Sequence, residues 1–221
     1  GTGITGTVFS PTSATAGTYA ITYMYQDANG CSDTYVQNVT VFANPTVNFS
    51  GLAASYCAND GIVSLTGTPV GGTFAGTGMT GGSFDPSTAG AGTYAITYTF
   101  ADTNTCSNVA SQNVTVYALP VANAGSDNTV SYAGTYSLTG SATGGTGNYT
   151  YAWTPVADIA GNPNVQNPTS DTIFTTTIFT LTVVDTVSGC QDDDQVTITP
   201  LGGPLSANAT ALPDSLCDGD T

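Results

Sequence analysis

Residues 17–23 read Gly-Thr-Tyr-Ala-Ile-Thr-Tyr, and residues 92–98 repeat the same seven residues without a change. Working outward from this stretch, residues 1–45 align without a gap to residues 76–120, and 27 of the 45 paired residues are identical. The offset between the copies is 75 residues (92 minus 17). A repeat at a fixed spacing is typical of tandem arrays of one structural module. The sequence therefore predicts modules of about 75 residues.

The repeated stretch has the pattern of a β-strand. Between residues 93 and 100, large apolar side chains alternate with threonine or alanine, which gives one apolar and one polar face. Tyr94 follows Gly92 by two positions, as in the tyrosine corner of immunoglobulin-like folds, and Phe179 holds that place in the last third of the chain. Turn residues recur every eight to twelve positions. The predicted fold is all-β, with tandem immunoglobulin-like β-sandwich modules arranged end to end.

The repeat also sets the predicted module boundaries. Residues 1–45 form the C-terminal part of one module, and residues 46–120 form a complete module. Residues 121–204 form a divergent third module, and residues 205–221 begin another. Because the chain starts at Gly1 without an initiator Met, we interpret it as a piece of a longer secreted protein.

The composition excludes several classes of function. The chain has no Lys, Arg or His, and its 15 aspartates give a formal charge of −15. Nucleic-acid binding requires a basic surface, and the common catalytic triads require His. No apolar run reaches the roughly 18 residues of a membrane helix, so insertion into a membrane is not expected. No carboxylates are visibly placed across a cleft, and we expect no enzyme.

The five cysteines give one predicted disulfide. Cys57 and Cys106 fall inside the complete module, and closing the loop between them would stabilise it by roughly 4 kcal/mol. Cys31 and Cys217 would pair outside the chain, and Cys190 has no obvious partner. The alternative is that all five are free buried thiols.

The modules resemble the immunoglobulin-like repeats of giant Bacteroidetes surface adhesins, including the gliding-motility type, and the third resembles neighbouring PKD-type repeats. The resemblance covers nearly the whole chain. The residues that carry it are 71–74, 84–86, 91–98 and Cys106 for the first type, and 122–125, 140–145, 149–153 and 189–190 for the second. The third module lacks the Trp-Asp-Phe-Gly-Asp-Gly stretch of typical PKD domains. The resemblance implies secretion to the cell surface, a stalk or fibre role and no catalysis.

Glycosylation is predicted at two kinds of motif. The Asn-x-Ser/Thr motif occurs at Asn38, Asn48, Asn113, Asn148 and Asn208. The resemblance adds O-glycosylation at Asp-Ser/Thr, which matches Thr172, Thr186 and Ser215. The number of motifs is no more than chance gives in a chain with 41 Thr and 18 Ser. The alternative is that threonine is simply a good surface residue for strands.

Two further binding sites can be weighed. Hard carboxylate ligands suit Ca²⁺, and the weak candidates are Asp127, Asp185, Asp192, Asp193 and Asp194. Without a calcium-loop motif, solvated turn aspartates are the favoured interpretation, and no cofactor is expected apart from covalent glycans. Tyr149, Tyr151 and Trp153 could form a sugar-binding platform, but their even spacing favours core packing.

The sequence as a whole predicts a structural segment of an extracellular fibre or adhesin stalk, on the surface of a bacterial cell. Its partners would be neighbouring modules or subunits of the same fibre, and surface glycans are a further option. The alternative is a ligand-binding adhesin whose specificity resides in loops such as 155–171.

Overall fold

The computed structural model describes residues 3–203, and the chain divides into two compact units at Val116–Tyr117. Within the described residues, the helical elements are the single turn α1 (Pro86–Ala89) and a 3₁₀ turn at Val156–Asp158. No helix in this part of the chain is long and apolar enough to cross a lipid bilayer. The protein is built of β-sandwich modules, and the all-β prediction is confirmed. The predicted boundaries at 45, 120 and 204 stay predictions, and residues 205–221 lie outside the described range.

The first unit contains thirteen of the strands. They are β1 (Ile4–Thr5), β2 (Val8–Phe9), β3 (Gly17–Gln26), β4 (Ser32–Val41), β5 (Asn48–Ser50), β6 (Ser55–Cys57), β7 (Val63–Ser64), β8 (Thr66–Thr68), β9 (Thr73–Ala75), β10 (Met79–Thr80), β11 (Ser83–Phe84), β12 (Gly92–Ala101) and β13 (Ser107–Tyr117). β13 ends one residue past the boundary.

The two copies of the repeat form the same antiparallel hairpin. Gly17 pairs with Val41 in β3–β4, and Gly92 pairs with Val116 in β12–β13. Each hairpin turns at an aspartate whose side chain accepts backbone N–H groups of the turn, Asp27 in the first and Asp102 in the second. Because the turn and the register are specified by local residues, both copies reach the same pairing.

The complete module places β12–β13 in a four-stranded sheet of order β6-β13-β12-β9. A three-stranded sheet, β10-β11-β7, and the pair β5-β8 supply the other strands of the module. The core contains the inward side chains of β12 and β13, together with Phe49 and Phe84. The predicted apolar face of residues 93–100 is therefore confirmed as the core face.

The second unit is also built of β-strands, but its sequence differs from that of the repeat. Its strands are β14 (Pro120–Asn123), β15 (Asn128–Ser131), β16 (Ser141–Gly144), β17 (Tyr149–Thr154), β18 (Ile159–Ala160), β19 (Thr169–Ser170), β20 (Thr177–Asp185) and β21 (Gln191–Leu201). The main sheet has the order β15-β21-β20-β17, and β14 pairs with β16. Trp153, Phe179 and Leu181 lie in the core of this unit.

Candidate functional site

The hairpin β3–β4 exposes an apolar face. Tyr23 and Tyr35 are directly paired across the two strands, and they are 66% and 67% exposed. Tyr25, two residues along the same face, is 59% exposed. We call this side of β3–β4 the open face. Tyr23 and Tyr25 occupy the positions that match Tyr98 and Phe100 in the second copy of the repeat.

In the complete module the matching face is covered. Tyr98, the counterpart of Tyr23, is 2% exposed. Its hydroxyl donates to the carbonyl of Pro69 and accepts from the N–H of Gly72 at 2.7 Å. A Cβ at Gly67 would lie 2.1 Å from the tyrosine ring, so the backbone of β8 can pack directly on the ring only because residue 67 is glycine.

A glutamine on this face of the complete module, Gln112, binds the backbone of β5. In the complete module, the Gln112 side chain donates to the carbonyl of Phe49 at 3.0 Å. Gln37 holds the same place on the open face, and its side chain is exposed. The open face therefore has both apolar area and a strand-binding polar group.

Three of the five aspartates considered for calcium fasten strands in the second unit. Asp192 and Asp194 accept the backbone N–H groups of Ala122 (2.9 Å) and Ala124 (2.8 Å). Asp127 accepts the N–H of Thr197 at 2.7 Å. Within residues 3–203, no group of three or more potential ligands is placed to hold a metal ion. Calcium binding stays a prediction, but these carboxylates have a structural role that the sequence analysis missed, because their partners lie 70 residues away.

Asp185 organises the β20–β21 turn. It is fully buried, and its carboxylate accepts N–H groups of Thr146, Val187 and Ser188 and the Thr146 hydroxyl. The N–H of Thr146 is the main reason that the pKa of Asp185 lies well below its usual range. Burial opposes that shift because it disfavours the charged form. Asp185 is thus an ionised structural group, and Asp193 stays solvent-exposed on β21.

The described glycosylation candidates are all accessible. Exposed side chains occur at Asn38, Asn48, Asn113, Asn148, Thr172 and Thr186. Asn38 and Asn113 lie on the outer sides of their hairpins, opposite the core-facing valines, as the strand alternation predicts. Asn208 and Ser215 lie outside the described residues. Modification itself stays a prediction, because accessibility is necessary for it and not sufficient.

The predicted Cys57–Cys106 disulfide is wrong for this structure. Cys106 carries a free thiol, as does Cys31, whereas Cys57 and Cys190 are both disulfide-bonded. The N–H of Thr115 donates to the carbonyl of Ala54, which places Cys57 near the end of β13. Cys106 lies nine residues before Thr115, about 30 Å along the strand. A disulfide requires Cα atoms within about 7 Å. Equal spacing in the repeat identified matching cysteines but not their partners.

The aromatic residues of β17 lie in or against the core. Trp153 is 1% exposed, and Tyr149 and Tyr151 pack against the same cluster. The Trp153 indole donates to the carbonyl of Gln166 at 3.1 Å, so the loop 155–171 is folded over it. The preference for core packing over a sugar-binding platform is confirmed.

In the first unit, a surface groove of about 570 Å³ runs over Tyr98 and is lined by glycines 67, 71, 72, 81 and 82.

The tyrosine corner is formed as predicted. The Tyr94 hydroxyl donates to the carbonyl of Ala89 at 2.8 Å, and Tyr19 donates to Thr15 at 2.6 Å in the first copy. Phe179 occupies the matching register in β20, opposite Val196. This contact is characteristic of immunoglobulin-like sandwiches, and it assigns the two copies of the repeat, which both form it, to that class.

Comparison with known proteins gives similarity of fold only. No protein-family model matches the chain, and no curated protein matches it significantly. A 282-residue C-terminal fragment of intimin, solved with the intimin-binding domain of its translocated receptor, is 12% identical (TM-score 0.46), covering 72% of this chain and 64% of that one. Extracellular domains 3–5 of Drosophila OTK are 13% identical, with a TM-score of 0.38, and the match covers 85% of this chain and 72% of that one. The fibronectin(III)-like modules of Clostridium thermocellum CbhA are 13% identical, with a TM-score of 0.34, and the match covers 75% of this chain and 100% of that one.

Proposed function

We propose that the chain is a structural segment of an extracellular fibre or adhesin stalk, built from tandem β-sandwich modules and carrying covalent glycans. The proposal rests on how the chain passes through each module. No part of the proposal depends on the low-identity structural similarities. The resemblance of the repeats to surface adhesins of Bacteroidetes agrees with it.

The complete module leads the chain from one end of its sandwich to the other. Near the entry, the carbonyl of Pro45 accepts a hydrogen bond from Asn108, just after the β12–β13 turn. Further on, the carbonyl of Ala54 accepts from Thr115, near the end of β13. The incoming segment thus runs parallel to β13, and the chain leaves at the opposite end of the module.

The second unit has the same polarity, built from different residues. Ala122 is bonded to Asp192 at the start of β21, and Asp127 is bonded to Thr197 further along. β15 then pairs in parallel with the end of β21. Over ten residues a strand advances about 33 Å, so each module would add about 30 Å to a series. Entry and exit at opposite ends are what a rod requires.

The surface suits a protein that works outside the cell. The outer side of the hairpins carries threonines that pair across strands, such as Thr93 with Thr115 at 3.1 Å. Disulfide-bonded cysteines are typical of oxidising compartments. The prolines before each module, Pro45 and Pro120, restrict φ and would stiffen the joints.

Negative-stain imaging of the purified chain tests the rod directly. We expect elongated particles that lengthen by about 30 Å when a further copy of residues 46–120 is inserted after residue 120. Compact particles whose length does not change on insertion would contradict the stalk.

Glycans are tested by the intact mass of native material. Mass in excess of the polypeptide, localised to exposed sites such as Asn113 or Thr186, would support glycosylation. A mass equal to that of the bare chain would rule out glycosylation and leave the rod proposal intact. Selective binding on a glycan array, abolished by changes in loop 155–171, would instead favour the adhesin alternative.

A further inference from the structure

We propose that the free edge of β17, in the main sheet of the second unit, is an interaction surface for the same strand of a second copy of this chain. The two strands would pair antiparallel about a two-fold axis at Thr150 and join two four-stranded sheets into one. The inference goes beyond the proposed stalk, because pairing between these edges does not require the chain to be a rod.

The first argument is that β17 is a long edge strand without the usual protection. The order of the described strands, β15-β21-β20-β17, places β17 at the edge of its sheet. It has six residues, whereas β9, at the edge of the four-stranded sheet in the complete module, has three. Edge strands are commonly protected by shortness, by Pro or by charged side chains. β17 reads Tyr-Thr-Tyr-Ala-Trp-Thr and has none of these.

The second argument concerns the direction of the backbone groups of β17. In an antiparallel pair, the N–H and C=O groups of successive residues point alternately towards the partner strand and away from it. The N–H of Trp153 donates to the carbonyl of Pro163 at 3.0 Å and therefore points away from β20. Tyr149 and Tyr151 have the same parity as Trp153. Their N–H and C=O groups consequently point out of the sheet edge.

The third argument is that this edge is complementary to itself. With the axis at Thr150, Tyr149 of one copy lies opposite Tyr151 of the other. Each of the two resulting residue pairs exchanges two N–H···O=C bonds. All four outward groups of each copy are then used, and Trp153 keeps its bond to Pro163. No existing hydrogen bond has to break for the sheets to join.

The fourth argument is electrostatic and favours a contact between copies at this edge. Copies of a chain with charge −15 and no Lys, Arg or His repel each other wherever carboxylates meet. Among the four strands of the main sheet, Asp193 is the exposed aspartate, and it pairs with Thr182 of β20. It therefore lies two strands from the edge, about 10 Å away. In the joined sheet, the two copies of Asp193 would be about 24 Å apart, well beyond the screening length of about 8 Å.

A disulfide introduced at the axis tests the pairing in the full chain. Directly opposed residues of a non-hydrogen-bonded antiparallel pair have Cα atoms about 4.5 Å apart, which a disulfide can span. Thr150→Cys is made together with Cys31→Ser and Cys106→Ser, which remove the free thiols of the described residues. The chain is produced without glycans, because Thr150 completes the Asn148 glycosylation motif.

Oxidised glutathione drives the linkage. The two introduced thiols give one protein disulfide, and their two electrons and two protons convert one glutathione disulfide into two reduced glutathione molecules. We expect linked dimers on non-reducing gels. Cleavage at aspartate, since trypsin has no site, should give a peptide in which two copies of β17 are joined at residue 150.

Thr154→Cys in the same background is the matched control. Thr154 is exposed on the same side of the same strand, but its two copies would lie about 26 Å apart along the joined strands. Linked dimers should form at least about tenfold faster from Thr150→Cys, because a disulfide needs Cα atoms within about 7 Å. Equal rates from the two variants would overturn the inference.

A charge swap tests the pairing without a disulfide. In sedimentation velocity, Thr150→Asp mixed with Thr150→Lys should associate about threefold more tightly than either variant alone, because opposite charges then face each other across the axis. The control mixture, Thr154→Asp with Thr154→Lys, should show no such gain. A gain that is absent at residue 150, or equal at both positions, would contradict pairing about Thr150.

These outcomes are separable from the test of the stalk. Elongated particles that lengthen with an inserted module, combined with equal linkage at residues 150 and 154, would eliminate the edge pairing and leave the stalk. Compact particles that nevertheless link selectively at residue 150 would eliminate the stalk and support the pairing.

Discussion

The hairpins β3–β4 and β12–β13 differ in their surroundings far more than in their sequences. The register of strand pairing is the same in both hairpins and begins with the pairs Gly17–Val41 and Gly92–Val116. Yet Tyr23 is 66% exposed and its counterpart Tyr98 is 2% exposed. The difference shows that pairing within a hairpin is specified locally, whereas a core requires segments that lie elsewhere in the chain.

The largest effect is expected when the two tyrosines are truncated. Tyr98→Ala should lower the free energy of unfolding of the first unit by about 3–5 kcal/mol, because it leaves a cavity and two unpaired backbone groups. Tyr23→Ala should change it by less than about 0.5 kcal/mol, because this side chain is 66% exposed. Urea unfolding measures both changes, and hydrogen exchange assigns them to a hairpin. Equal losses from the two variants would contradict the contrast.

The next effect concerns the backbone that covers Tyr98. Gly67→Ala should cost about 1–3 kcal/mol, since its Cβ would overlap the tyrosine ring and force the strand away. Gly61→Ala is the control, because a Cβ there meets nothing within 4 Å. Thermal unfolding of the two variants gives the comparison. A Gly67→Ala protein as stable as the control would mean that β8 does not lie on the ring in solution.

A smaller effect is expected from the tyrosine corners. Tyr94→Phe removes a hydrogen bond to the carbonyl of Ala89 and should cost about 1 kcal/mol. Tyr19→Phe removes the equivalent bond in the first copy and should cost less, because water can reach the Thr15 carbonyl that it leaves. The second unit already has Phe179 at this place. Chemical denaturation of the two variants ranks them, and a larger loss from Tyr19→Phe would reverse the expected order.

The last prediction concerns the second unit in acid, where it should lose stability that it keeps at neutral pH. The pKa of Asp185 is lowered in the folded state, so its stabilisation is complete above the unfolded pKa of about 3.9. It is lost as the pH falls below that value towards the folded pKa. Trp153, the single tryptophan, reports on the second unit.

The matched variant for this comparison is Asp185→Asn. Below about pH 4 the second unit should lose stability in the wild type, and the variant should show a shallower dependence on pH. An unchanged dependence in the variant would remove Asp185 as the cause.

Much of this architecture could be predicted from the repeat and its alternation. The core face of β12, the tyrosine corner and the burial of Trp153 all follow from spacing within a few residues. The role of Asp192 and Asp194 did not follow, because their backbone partners precede them by 70 residues and have no recognisable motif. The disulfide prediction failed for a related reason: Cys57 and Cys106 share a module but lie at opposite ends of a strand.

The sequence by itself determined the all-β class, the repeated hairpins with their register and the chemistry of a surface without Lys, Arg or His. These properties depend on side-chain type and on contacts between near neighbours in the chain. Only the tertiary structure decided which apolar face is covered, which aspartates bind backbone and which cysteines are bonded. Those outcomes depend on which distant segments meet, and identical local sequences such as residues 17–23 and 92–98 therefore end in opposite environments.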